Sequence, residues 1–242
     1  MNKRLILIMN GKGGVGKSFF AIHFIEYLKQ KSIEHLAIDT DNENSTLKRF
    51  HPQAKFLDLA ATEQLDEMIL ALGQTDLVVV DCRAASTDLL LGYLTEIGFE
   101  TVLANLKARM TLVLLVTHEA DSVEQIQTIS TELNALVDYV IVRNLGHHHS
   151  FKIFDESQLR TRLIKELHAR EIHLPKMQPW LVEQLQTVNL TAFAAGKDQR
   201  LTILNRQRVI MWQRAFDAEV DLAAEIILPA PAKIRQARTE TP

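Results

Sequence analysis

Short, unbroken apolar runs alternate along the chain with stretches whose apolar positions fall three or four apart. Lys3–Met9, His35–Ile38, Leu77–Val80, Thr111–Thr117, Tyr139–Val142 and Ile172–Leu174 read as strands. Their Val, Ile and Leu are continuous rather than alternating, which indicates burial on both faces of a sheet. Ser18–Lys31, Thr62–Leu72, Thr87–Ile97, Ser122–Leu136 and Ser157–Arg170 read as helices. Leu65, Ile69 and Leu72 mark one apolar stripe, and Leu159, Leu163 and Leu167 another. Strand and helix in alternation predict βαβ units with right-handed crossovers. The expected architecture is a three-layer, doubly wound, mostly parallel α/β sheet across about residues 1–190. A helical segment, about Gln199–Leu228, follows. Residues 1–228 are expected to act as a single domain and 229–242, with Pro229, Pro231 and Pro242, as a flexible tail.

Composition narrows the class. The 242 residues are 47% hydrophobic and 24% charged, enough apolar surface to offset the entropy of ordering a large core. The longest apolar runs, Leu5–Met9, Leu77–Val80 and Leu112–Val116, are strand-sized and far short of a membrane span. No secretory signal is visible, because the first apolar run leads directly into glycines and lysines. A lone cysteine, Cys82, excludes an internal disulfide and a four-thiolate metal site, and suits a reducing cytoplasmic setting. A formal net charge of −3 excludes a global basic field for nucleic acid but leaves room for a local patch.

The decisive stretch is Asn10-Gly11-Lys12-Gly13-Gly14-Val15-Gly16-Lys17-Ser18, between a predicted strand and a predicted helix. Gly11, Gly13 and Gly16 fit the dinucleotide pattern G-x-G-x-x-G, and Asp39 could then serve as its ribose-binding acid. Gly11, Gly16, Lys17 and Ser18 also fit the phosphate-loop pattern G-x-x-x-x-G-K-[ST]. Lys17 and Ser18 decide between them. A metal-bound triphosphate needs a cation at its β/γ-phosphates and a hydroxyl on Mg²⁺, and a dinucleotide pyrophosphate needs neither. Gly11, Gly13, Gly14 and Gly16 let backbone N–H groups around Val15 wrap the phosphates, and the helix beginning near Ser18 and Phe19 adds its positive end. Leu77–Val80 followed by Asp81 is an apolar strand ending in an acid, the Walker B arrangement, which can hold a metal-bound water.

Lys12 adds a second signal. The arrangement Lys12 to Ser18 resembles the deviant Walker motif of the ParA/MinD superfamily. That resemblance implies two subunits facing each other across two ATP molecules, with Lys12 reaching the partner's phosphates. It also implies that Asp41, in Asp39-Thr40-Asp41, orients or deprotonates the attacking water, with Asp39 placed for the Mg²⁺ water shell. Asn144 is implied to bind the adenine edge and Pro175 to line the base pocket. Asn42-Glu43-Asn44 and Cys82-Arg83-Ala84-Ala85-Ser86 depart from the superfamily, the first lacking its Pro-Gln and the second its proline and glycine. Arg83 is open to two readings, a γ-phosphate or partner sensor and a surface cover.

Other features carry less. His147-His148-His149 reads as an exposed loop. Leu201, Leu204, Trp212 and Phe216 can form an apolar stripe on a helix packed against the sheet. Arg200, Arg206, Arg208 and Arg214 are candidates for phosphates or a partner. Asp217, Glu219, Asp221 and Glu225 disfavour an anionic lipid surface. Leu201-Thr202-Ile203 and Arg206-Gln207-Arg208, with the glycine loop and the overall length, resemble the TraL family of ParA-like ATPases, to which the StbB proteins are related. That resemblance implies a slow cytoplasmic ATPase using ATP and Mg²⁺, forming an ATP-dependent homodimer in plasmid conjugation or maintenance. Its partner would be a plasmid-encoded DNA-binding adaptor or conjugation protein, with direct non-specific DNA binding as an option. Recruitment to nucleoid or membrane would run through that partner. A ParA-type partition role, another cargo and, more distantly, a dinucleotide-dependent enzyme are the alternatives. An iron–sulfur reductase of related loop type would need two cysteines per subunit, and the chain has one.

Overall fold

The computed structural model describes residues 2–42, 45–146 and 150–230. His147, His148 and His149, Glu43 and Asn44, and the predicted tail from residue 231 onward, Pro231 and Pro242 included, lie outside the described residues.

Seven strands run in the order β3-β2-β4-β1-β5-β6-β7. They are β1 (Lys3–Met9), β2 (Leu36–Asp39), β3 (Lys55–Phe56), β4 (Leu77–Asp81), β5 (Ala108–Val116), β6 (Asp138–Asn144) and β7 (Arg170–Leu174). Every pairing is parallel, so the sheet is parallel throughout rather than mostly so. The helices are α1 (Lys17–Gln30), α2 (Thr46–Phe50), α3 (Thr62–Leu70), α4 (Thr87–Glu96), α5 (Phe99–Asn105) and α6 (Ala120–Leu133). They continue with α7 (Lys152–Asp155), α8 (Gln158–Lys165), α9 (Pro179–Val188), α10 (Ala192–Ala195), α11 (Ile203–Leu222) and α12 (Ala224–Ile227).

The two faces of β1 explain its unbroken apolar run. Leu5, Leu7 and Met9 enter the core shared with α3, α4, α5, α6 and α8. Ile6 and Ile8 enter the opposite core, shared with α1, α9, α10 and α11. All of these β1 side chains are nearly or wholly removed from water. From β1 the chain crosses to β2 on one side, and from β4 it crosses past β1 to β5 on the other, so the direction of winding reverses at β1. That switch point opens a crevice at the carboxyl ends of the strands, where ligands bind in folds of this kind.

Two predicted elements differ. The helix expected over 157–170 stops at Lys165, because His168 adopts a left-handed backbone (φ 53°) and the chain turns into β7. Leu167 still packs partly against the core, which is why the spacing of four continued past the true end. On α11, the buried stripe is Val209, Trp212, Phe216 and Val220, while Leu204 is exposed. α11 lies on α1 through aromatic edges. Trp212 meets His23 at 4.6 Å and Phe19 at 5.5 Å, and Phe216 meets Phe20 at 5.5 Å. Tyr27 of α1 donates to Asp221 at 2.6 Å. Burial of His23 drops its pKa to about 4. Its Nε2 accepts from the Ala192 amide, so its Nδ1–H donates to the Phe19 carbonyl and the ring is neutral.

Candidate nucleotide site

The glycine loop leaves β1 and closes onto α1. Asn10 is buried and ties the start of the loop to β5. Its amide nitrogen donates to Leu115 O at 2.7 Å, and its Oδ1 accepts from the Lys12 N–H at 2.9 Å. Gly14 (φ 74°) and Gly16 (φ 101°) take backbone conformations that side chains disfavour. A Cβ on Gly16 would also stand 2.5 Å from Nδ2 of Asn144.

Lys17 is 7% exposed, and its ammonium donates to Lys12 O at 2.9 Å. Burial lowers its pKa, against the opposing pull of Asp81. Asp81, at the end of β4, is 2% exposed, and neither carboxylate oxygen meets a donor among the described residues. Burial pushes its pKa up to about 7; the nearby Ser18 hydroxyl opposes that rise and the Asp39 charge adds to it. A buried carboxylate without donors beside a hydroxyl at a helix start fits a hydrated divalent cation, which Ser18 would ligate directly and Asp81 through a water. No three His, Cys, Asp or Glu side chains converge on a metal-binding point among the described residues. Such an ion would therefore depend on Ser18, waters and phosphate oxygens.

Asp39, fully buried at the end of β2, spends its carboxylate on the following loop. Oδ1 accepts from the Asp41 N–H and Oδ2 from the Lys48 N–H, both at 3.0 Å. It therefore acts on the ion expected here only through the loop it holds or through bridging water. Asp41 lines the cleft, and its carbonyl accepts from the Ser45 hydroxyl. Across from it, Ala85 takes the left-handed conformation (φ 56°) that a glycine would adopt more cheaply, by ~1 kcal/mol. The Ala85 N–H donates to Gly11 O, joining this turn to the glycine loop.

These groups wall a cleft of about 580 Å³, formed by Gly13, Gly14, Gly16, Lys17, Ser18, Asp41, Asp81 and the Arg83–Ala85 turn. A second cleft of about 500 Å³ shares Gly16, Phe19 and Gln186 with it and extends past Asn144, Gly146 and Pro175. Asn144 is 3% exposed. Its Nδ2 donates to Val15 O at 2.8 Å and its Oδ1 accepts from the Gly146 N–H. One N–H and one lone pair remain for a base edge. Pro175 is held from behind, since Trp212 of α11 donates to its carbonyl at 2.9 Å. Gly11 and Val15 shape the loop from outside the clefts. The remaining wall, Met177, Pro179, Val182, Glu183 and Gln186, comes from the β7–α9 loop and α9. Sequence reading missed it, although Pro179 at the first turn was a helix-start signal.

Lys12 makes contacts that the sequence reading did not foresee: its ammonium pairs with Glu119 and lies 3.8 Å from Asp121, both at the β5–α6 junction. The Glu119 contact holds its pKa above the ordinary lysine value.

Comparison with known proteins agrees with this geometry. Residues 6–157 match the model of the CobQ/CobB/MinD/ParA nucleotide binding domain. Protein MobD of Acidithiobacillus ferrooxidans is 24% identical over 219 residues, covering 88% of this chain and 94% of that protein. Protein TraL of Escherichia coli is 26% identical over 239 residues, covering 91% and 98%. The septum site-determining protein MinD of Pyrococcus horikoshii, solved with Mg-ADP, shares the fold at a TM-score of 0.54 and 16% identity, over 93% of this chain and 98% of that one. The chain is therefore a member of the CobQ/CobB/MinD/ParA nucleotide-binding family.

Proposed function

We propose that this chain is a Mg²⁺-dependent ATPase that dimerises when ATP is bound, with residues 1–228 acting as one domain. The observation that carries the reading is the buried Asp81 carboxylate beside Lys17 and Ser18 at a glycine cradle. That arrangement suits a metal-bound polyphosphate. In this reading the backbone amides around Gly13–Gly16 and the Lys17 ammonium bind the β/γ-phosphates. Asn144, Phe19 and Pro175 hold the base, and Asp41 orients the attacking water. Mg²⁺ would neutralise phosphate charge. Phosphoryl transfer depends mainly on such positioning and charge neutralisation. The water oxygen bonds the γ-phosphorus as the bond to the β–γ bridging oxygen breaks. ADP leaves with that electron pair, and the water's proton passes to phosphate or solvent.

Resemblance to the TraL family supports a role in plasmid conjugation or maintenance, alongside a plasmid-encoded DNA-binding adaptor or conjugation protein. No helix among the described residues is long and apolar enough to cross a membrane, in keeping with recruitment through a partner.

Sizing the protein with ADP and with a non-hydrolysable ATP analogue tests the switch. The analogue should give a dimer and ADP a monomer, and Asp41→Ala should remain dimeric in ATP itself. A monomer under every condition rejects it. The Lys12 contacts supply a second test. Action on a partner's phosphates requires Lys12 to leave Glu119 and Asp121, so the Glu119→Gln/Asp121→Asn double variant should dimerise a few-fold more tightly with the analogue. The effect is modest because all three side chains are partly exposed. Weaker dimerisation would mean that the two acids serve the interface itself.

A further inference from the structure

The turn after β4 holds a cation that the reading above does not use. Arg83 stands on the wall of the phosphate cleft, beside Ala84 and Ala85 and on the same cavity as Lys17, Ser18 and Asp41. Its backbone is fixed from both sides. The Arg83 N–H donates to the Thr40 hydroxyl oxygen at 2.9 Å, and that hydroxyl in turn donates to Asp81 O. The Arg83 carbonyl accepts from the Ser86 hydroxyl at 2.9 Å. Its guanidinium is different. Nε is shut off from water and meets no acceptor, and among the described residues no carboxylate pairs with it. Several other cations are engaged: Lys12 with Glu119, Lys17 with Lys12 O, Arg4 and Arg109 with Asp138, and Arg160 with Glu171.

A buried donor without an acceptor is costly, and the cost is removed when an anion arrives. The anion that this cavity is shaped for is a polyphosphate. We infer that Arg83 is the γ-phosphate-reading residue of this chain, contributed by the same subunit that holds the nucleotide. This rests on the nucleotide reading above and adds to it the group that separates a triphosphate from a diphosphate. Lys17 sits at the start of α1, between the β- and γ-phosphate positions, so part of its charge serves both nucleotides through the β-phosphate. The Arg83 turn forms a separate wall, joined to the glycine loop by the Ala85–Gly11 hydrogen bond. A planar guanidinium can give two parallel hydrogen bonds to one phosphate, which an ammonium cannot.

The experiment is calorimetric titration of wild-type, Arg83→Ala and Arg83→Lys protein with a non-hydrolysable ATP analogue and with ADP, both with Mg²⁺. Wild type should prefer the triphosphate. Arg83→Ala should lose about 10- to 100-fold in that preference while ADP affinity stays unchanged, the range expected for charge-assisted hydrogen bonds. Arg83→Lys should recover part of the loss. Melting temperatures should stay close to wild type, since no ion pair among the described residues is broken. Equal weakening of both nucleotides, an unchanged preference in Arg83→Ala, or a wild type that does not distinguish them overturns the inference and leaves the nucleotide reading standing. A wild type that takes up neither nucleotide overturns both.

Discussion

Lys17→Ala should weaken binding of an ATP analogue about 30- to 4,000-fold while the fold survives. The range follows from truncating one side of a buried charge pair, about 2–5 kcal/mol, in a site that keeps its backbone donors. Lys17 is the cation of the cradle, and among the described residues its ammonium has the Lys12 carbonyl as its hydrogen-bond acceptor. Burial works against its charge. A polyphosphate adds counter-charge to that of Asp81, and the alanine variant has nothing to offer in return. The same burial implies that removing the ammonium does little harm to the unliganded protein, because the desolvated charge is removed along with one hydrogen bond. Calorimetry for binding and circular dichroism for melting separate the two effects. Binding within about threefold of wild type would exclude this lysine from the ligand's charge.

Asp81→Asn should have the opposite signature, more stability and less metal-assisted binding. The Asp81 carboxyl is raised from 3.8 to about 7, chiefly by burial. The folded chain therefore keeps this proton after the unfolded chain has lost it. The stability this contributes is fully present below pH 3.8 and is lost as pH rises to about 7. Above that, the folded state carries a buried charge that Ser18 and Lys17 offset only in part. Asparagine removes that charge with little change of shape. At pH 8, without ligand, the variant should be more stable by about 2–4 kcal/mol. That corresponds to melting about 5–12 °C higher. Toward pH 4 the difference should vanish. The Mg²⁺-dependent part of nucleotide affinity should fall at the same time. Such a trade of stability against activity is expected where a site holds strain or uncompensated charge for its ligand. Identical melting curves at both pH values would show that the carboxylate is already compensated.

Much of this was legible from local pattern. Continuous apolar runs gave six of the seven strands, because strands buried on both faces have no polar face to interrupt them. β3 escaped, being two residues long. α5 also escaped, since Gly98 in a left-handed conformation (φ 56°) starts a second helix directly after the first. The glycine loop was readable because its chemistry is local: backbone donors, a lysine and a hydroxyl within one turn.

What the sequence alone determined is the phosphate cradle and the class of sheet that presents it, both set by neighbours along the chain. Three things came only from the tertiary structure, because each depends on residues far apart in sequence. Lys12 is drawn to Glu119 and Asp121 across more than a hundred residues. Asp81 and Arg83 are left, among the described residues, with buried side-chain atoms that meet no hydrogen-bond partner once the strand ends converge. The base-side wall is built by α9 and braced by Trp212. Periodicity reports which side of an element meets the core. It carries no information on which distant charge a side chain will meet, and that pairing decides which groups here remain available to a ligand.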